Sequence, residues 1–471
     1  MVRDSNISFF HKLHNPFSKR ISSNVAIIVN NNRKISIVVY IVLVTIVVDT
    51  LINQNADYLV TMNTSALGIS LFIIMASICM VGQYLILEYV KEKTREIRSK
   101  VRYIGNLHTI STIIQYLLIA IFMLVIIDIV VLRQYPTVSL AIVTAASYGL
   151  NIALMAIFAR IFFSWYRSNR QSVVVLLYGL SFVVVVINSS VLLAISFSRF
   201  SEKPLYVFPY SKVAFVKFAE GSILYNLGKI YHFSDIASFI LKWTTAVFLL
   251  HHYSRKIGRI KYWLLVGIPL AYFLGTFMDD FHLYEPHSAS ELFYWYIYAS
   301  LNSTAGGILF GVAFMLGAKQ FREKSTIRDY MYISGFGFIL FFSAGQSILT
   351  VTPYPPYGFA TMSFFGLSSY LILVGLYCSA FSVSEDMELR KTIRKNVLHE
   401  SKLLDSMGTA QMGEQIQRRV MEIERKVMQM AKEDSGEMQI ETGVKPSLDE
   451  SDMRNYLEEV MKEVQVSIRR K

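Results

Sequence analysis

Apolar runs of about 20 residues recur ten times along this chain, and a helix needs that length to cross about 30 Å of hydrocarbon. The runs are Ile35–Ile52, Ala66–Leu87, Ile110–Leu132, Ser139–Phe163, Ser172–Phe197, Asp235–Leu250, Tyr262–Met278, Phe293–Leu316, Tyr330–Val351 and Phe359–Phe381. The bilayer core offers no water to the backbone, so each run must satisfy its own N–H and C=O groups by becoming helical. Composition agrees: 17% of residues are charged, where a soluble chain carries about 25%. The expected fold class is therefore all-α, a polytopic membrane helix bundle of about ten transmembrane helices with a helical cytoplasmic tail. Its expected parts are a basic N-terminal segment 1–34, a membrane domain 35–381 and a tail 382–471.

Loop charge tests this count independently, because cytoplasmic loops carry the Lys/Arg excess. With the N-terminus inside, segments 1–34, 88–109, 160–171, 251–261 and 317–329 hold 23 basic residues. Segments 53–65, 133–138, 198–234, 279–292 and 352–358 hold 6, and five of those lie in the single long loop 198–234. That alternation predicts ten spans with both termini cytoplasmic, in a plasma membrane. The N-terminal segment lacks an apolar core followed by a cleavage site, so the first span is expected to act as its own insertion signal. The partner implied by this charge pattern is the lipid bilayer, not nucleic acid.

Connections and packing positions follow from composition. The long outer loop is rich in aromatics (Phe200, Tyr206, Phe208, Tyr210, Phe215, Phe218, Tyr225), which suit the headgroup region and read as a lid or interfacial helix. Pro353-Tyr354-Pro355-Pro356-Tyr357-Gly358 reads as a stiff outer connector. Gly307-x3-Gly311 and Ala145-x3-Gly149 are close-approach patterns between helices. Cys79 and Cys378 sit in apolar runs and read as packing residues, with no disulfide framework and no metal-type spacing.

Chemistry is sparse. Lys242 falls near the middle of the sixth run, where a cation costs at least ~2.5–3.5 kcal/mol, so it is expected to snorkel or to face the bundle interior. Asp128 and Asp49, toward the outer ends of the third and first runs, are its candidate partners, in a structural pair or as a coupling charge. Asn151, Asn188 and Gln346 are further polar residues within spans. The outer segment Asp279-Asp280-Phe281-His282-Leu283-Tyr284-Glu285-Pro286-His287 offers imidazole and carboxyl groups, with Asp280, His282, Glu285 and His287 as candidate ligands for zinc or copper. The plainer reading is a solvated acidic cap that keeps positive charge off the outer face. No cofactor is otherwise implied, and no catalytic motif is present: phosphate-binding loop, Gly-x-Ser-x-Gly elbow and His-Glu-x-x-His are all missing from the sequence.

The tail carries net charge −2 over residues 383–471, against +14 for the rest. Leu389, Ile393 and Val397 recur every four residues, and Ile416, Val420, Ile423, Val427 and Met430 form a short heptad seam. Leu457, Val460, Val464 and Ile468 mark a final amphipathic helix. Such stripes must be buried, either in a homodimer, on a cytoplasmic protein partner, on each other or on the membrane. Asn396-Val397-Leu398-His399-Glu400 resembles the phosphoacceptor box of sensor histidine kinases, but the usual Arg-Thr-Pro continuation is replaced by Ser401-Lys402-Leu403. The 72 residues after His399 are too few for a nucleotide-binding lobe, so the preferred reading is a surface histidine.

A second resemblance covers about the last quarter of the chain. Pro355-Pro356-Tyr357-Gly358-Phe359, Gly366-Leu367-Ser368-Ser369-Tyr370-Leu371 and Ser382-Val383-Ser384-Glu385-Asp386 resemble a family of multi-pass proteins from ammonia-oxidising archaea. Glu400-Ser401-Lys402-Leu403-Leu404-Asp405-Ser406 and Gly408-Thr409-Ala410-Gln411-Met412 are similar to it too. The resemblance implies an archaeal plasma membrane and carries no activity or functional residue. The expected role is a non-enzymatic sensor or signalling scaffold with a helical output. A transporter or channel for a small solute is the alternative, and an outer-face metal enzyme is a remote one.

Overall fold

The structure, a computed structural model, describes residues 32–54, 59–168, 172–201, 204–209, 221–251, 258–280, 309–312, 314–316, 326–345, 354–385 and 407–416, with a few isolated positions besides. Its principal elements are α1 (Asn32–Gln54), α2 (Val60–Asn63), α3 (Ala66–Lys93), α4 (Arg95–Lys100), α5 (Arg102–Leu132), β1 (Tyr135–Pro136), α6 (Thr137–Ser168), α7 (Val173–Ser201), β2 (Tyr206–Val207), α8 (Ile223–His251), α9 (Arg259–Asp280), α10 (Thr326–Ala344) and α11 (Phe359–Glu385). Residues 407–416 form one more helical segment. Among the described residues, six helices (α1, α3, α5, α6, α7 and α11) are long and apolar enough to span a bilayer. The chain is an all-helical, multi-pass membrane protein.

The helices are apolar outward and mixed inward, the reverse of a soluble bundle. On α5, Ile110, Ile113, Leu117, Leu124, Ile127 and Val131 are exposed, while Ser111 and Gln115 are buried. Hydrocarbon can cover the first set at no cost, whereas the polar groups need partners that only protein supplies.

The last helix is the hub. All of the 18-residue apolar window of α11 is buried, against 33–50% for the other five candidate spans. It packs on α10, α6, α3, α5 and α1. Small residues permit this crowding. A Cβ at Gly375 would lie 2.6 Å from Ser334 N and 2.7 Å from Tyr330 O, and one at Gly337 would lie 2.8 Å from Ile372 N. The α10 and α11 backbones are therefore in near contact at two levels. Outside this core, α7 packs on α6, and α8 on α7.

Several expectations are revised here. Both ends of the loop 198–234 are helix: α7 runs on to Ser201 and α8 begins at Ile223, so Tyr225 and Lys229 belong to the helix that carries the sixth run. The basic segment 88–109 is likewise helical, in the end of α3, in α4 and in the start of α5. The connections that follow α5 and α7 are joined by antiparallel pairing of β1 with β2, Tyr135 opposite Val207. Gly311 does sit in close approach, its would-be Cβ 2.7 Å from Gly335 O, but Gly149 has open space beside it and mediates no helix contact. Gly307 and most of the eighth run lie outside the described residues.

Replacing Gly375 with Val should destabilise the bundle by about 1–3 kcal/mol, the usual range for overpacking. Ala at the half-buried Gly105, where a Cβ would meet nothing closer than 3.8 Å, should be neutral by comparison. Thermal unfolding of the purified protein in detergent reads both.

Candidate functional site: the polar core around the last helix

The N-terminus of α11 is buried, so its leading N–H groups cannot turn to water. Asp49 of α1 meets them from another helix: its Oδ1 accepts from Gly358 N at 3.0 Å, and its Oδ2 accepts from Thr361 N at 3.2 Å and Thr361 Oγ1 at 2.6 Å. This is a helix cap supplied across the bundle, over a sequence separation of about 310 residues. Gly358, at φ +88°, makes the turn into the helix and leaves no room for a side chain beside Asn53. Tyr357 and Tyr354 plug the same end. Tyr357 donates to Gly68 O at 2.7 Å and meets Phe72 edge-on, while Tyr354 stacks on Tyr135. Burial pushes the Tyr357 phenol well above its ordinary pKa, so it stays a neutral donor.

Further along α11 lies a band of polar side chains midway along α5, α6 and α7. Ser369 donates to Asn151 Oδ1 at 2.6 Å, and Asn151 Nδ2 donates to Ser189 at 2.7 Å, which links α11, α6 and α7. Gln83 donates to the Ser363 hydroxyl, and Gln115 to Ser363 O at 3.3 Å, which links α3, α11 and α5. His108 Nδ1 and the Tyr370 hydroxyl are 2.7 Å apart. Six buried oxygens on α3, α5 and α6, Gln83 Oε1, Ser111 Oγ, Thr112 Oγ1, Gln115 Oε1, Thr144 Oγ1 and Ser147 Oγ, have no hydrogen-bond partner among the described residues.

The C-terminal end of α11, which lies beside the basic helix α4, is held by the chain that follows it. Val383 packs against Gly408 of the segment 407–416, where Met407 and Ala410 are buried. Trp165 of α6, itself fully buried, donates to Gln411 Oε1 at 2.8 Å and stacks on Tyr377 of α11. At the same end Lys100 pairs with Glu385 at 3.0 Å and with Glu96 at 3.1 Å, and these hydrogen bonds hold its ammonium above the usual lysine range. Both Lys100 and Glu385 are nearly half exposed, so solvent screens the pair and it serves as a latch, not an anchor.

The sequence candidates are placed differently from their expected pairing. Lys242 is buried on α8, with its ammonium 4.7 Å from the Phe342 ring and 5.4 Å from Phe341. The carboxylate that acts on it is Asp235, two turns earlier on the same helix. Asp49 is occupied with α11, and the half-buried Asp128 makes no ion pair with another described residue. A cation against aromatic faces is a structural way of holding Lys242 in an apolar layer. Asn188 donates to Ser234 on α8, whereas Gln346 lies outside the described residues. So do His282, Glu285 and His287, and so does the side chain of Asp280; the described residues contain no group of three or more potential metal ligands. Of the heptad seam only Ile416 is described. His108 and Trp165 escaped the sequence reading because both fell in segments assigned to connections, 88–109 and 160–171. Comparison with family models, with curated proteins and with solved structures gives no match.

Asp49→Ala should cost at least about 2 kcal/mol, since it leaves buried donors unsatisfied at the start of α11. Asp49→Ala combined with Thr361→Val should be non-additive by about 0.5–3 kcal/mol, as for groups in one network. Additive losses in a thermal or denaturant unfolding series would contradict the cap.

Proposed function

We propose that this chain is a membrane sensor or signalling scaffold whose output is its helical tail. The observation that carries the reading is the docking of residues 407–416 on the C-terminal end of α11, through Trp165–Gln411 and Val383–Gly408. α11 touches five other helices, so a shift in span packing is delivered to the surface on which the tail sits. A packed hub with close backbone contacts moves as a unit and does not deform gradually. In this reading the tail beyond residue 416 binds a partner or a second copy through its heptad seam. Ala410→Cys should react slowly with a membrane-permeant maleimide, and at least tenfold faster after Trp165→Ala or Gln411→Ala. Equal rates would remove the docked tail and the sensor reading with it.

The same reading places ten spans in a plasma membrane with both termini cytoplasmic, supported by the loop charges, 23 basic residues against 6. The resemblance of the last span and tail points to an archaeal membrane. Cysteines placed in 88–109, 251–261 and 317–329 should be shielded from an impermeant reagent in intact cells, while those in 53–65 and 279–292 label. Labelling of an inner segment would break the ten-span topology there.

One observation favours transport instead. Gln83 Oε1 and Gln115 Oε1, whose amides donate to Ser363, are buried with no partner among the described residues, and each costs about 1–3 kcal/mol unless something hydrogen-bonds to it. Flux of a small solute or ion through proteoliposomes, abolished by Gln83→Leu with Gln115→Leu, would select that reading.

A further inference from the structure

At the basic end, α6 and α7 part to leave a groove of about 640 Å³, whose walls include Arg160, Arg167 and Phe163 of α6 and Val183, Val186 and Ile187 of α7. We infer that this groove binds an anionic membrane lipid, its phosphate headgroup on Arg160 and Arg167 and an acyl chain along the α7 wall.

Charge is the first argument. Arg160 and Arg167 are both exposed, stand two turns apart on one helix, and form no ion pair among the described residues. Two lysines at this end are neutralised, Lys93 by Asp329 at 2.9 Å and Lys100 by Glu385 at 3.0 Å. Two guanidinium groups in one cleft suit a phosphate, because their planar forks donate in pairs to its oxygens.

Depth is the second. Arg167 stands in the last turn of α6, beside Tyr166 and beyond the apolar run that closes at Phe163, with Arg160 two turns before it. That level is the headgroup region, where tyrosines gather. The lining from Ala156 to Arg167 covers about 16 Å of α6 at 1.5 Å per residue, and the two arginines take up about 10 Å of it. The site is therefore charged from the interface down to Arg160 and apolar for about 6 Å beyond, to Ala156.

The third argument is the apolar wall. Phe163 and Ile187 are exposed at 36% and 45%, beside Leu180 at 38%, on helices whose outer faces meet lipid. A soluble phosphate would leave that wall uncovered, whereas an acyl chain fills it. The inference is independent of the tail reading and survives its failure.

Native mass spectrometry of the full-length protein, titrated with phosphatidylglycerol and separately with phosphatidylcholine, tests it. The wild-type chain should retain phosphatidylglycerol at least fivefold better, and Arg160→Gln with Arg167→Gln should erase that preference. Arg102→Gln, a charge lost elsewhere at the same end, should keep it. Ala156→Trp, which fills the groove and leaves both arginines in place, should lose it too, so loss does not depend on charge removal alone. Unchanged unfolding midpoints certify that the variants are folded. Millimolar inorganic phosphate should fail to displace the lipid. No preference in the wild type, retention by the double variant, or displacement by phosphate alone would each overturn the proposal.

Discussion

Complete burial of α11 is the constraint on which the rest of the structure depends. A helix with no lipid-facing side cannot rely on hydrocarbon to cover any part of itself, so every neighbour must fit it. Gly366, Gly375 and the serines along its length keep its surface low, and Gly337 of α10 answers from the other side. In lipid there is little hydrophobic drive to bring helices together, so this close approach and the hydrogen bonds it allows are what hold the bundle.

The two ends of that helix are solved by different chemistry. At one end the unsatisfied N–H groups of a buried terminus are met by a carboxyl group from α1, and the tyrosines of the preceding turn close off the opening. At the other end the helix leaves the apolar layer, and contacts become mixed: an indole donating to an amide, a half-exposed ion pair and apolar packing of the tail. The first end is built to stay fixed. The second is built from contacts weak enough individually to be exchanged, which is why the output is proposed there.

Between the ends, the polar layer ties α3, α5, α6 and α7 to α11 through side chains that a hydropathy profile treats as interruptions. Their hydrogen bonds are specific about partner and distance in a way that apolar contacts are not. They set which helices surround the hub and at what level.

Much of the architecture was legible in the sequence. Apolar run length announced helices, because the backbone must satisfy itself in lipid, and the six described spans coincide with six of those runs. The cost of burying a charge marked Asp49 and Lys242 as residues needing an explanation. Sequence did not reveal that Asp49 serves Thr361 and Gly358 while Lys242 rests on two phenylalanine rings, because hydropathy reports depth and says nothing of neighbours. It also hid the start of α8 inside an apparent loop, since Lys229 interrupts the apolar pattern without interrupting the helix. The chain alone thus determined that helices form and which medium they face. Tertiary structure decided which one sits at the centre, because that depends on backbone approach and paired donors contributed by residues hundreds of positions apart.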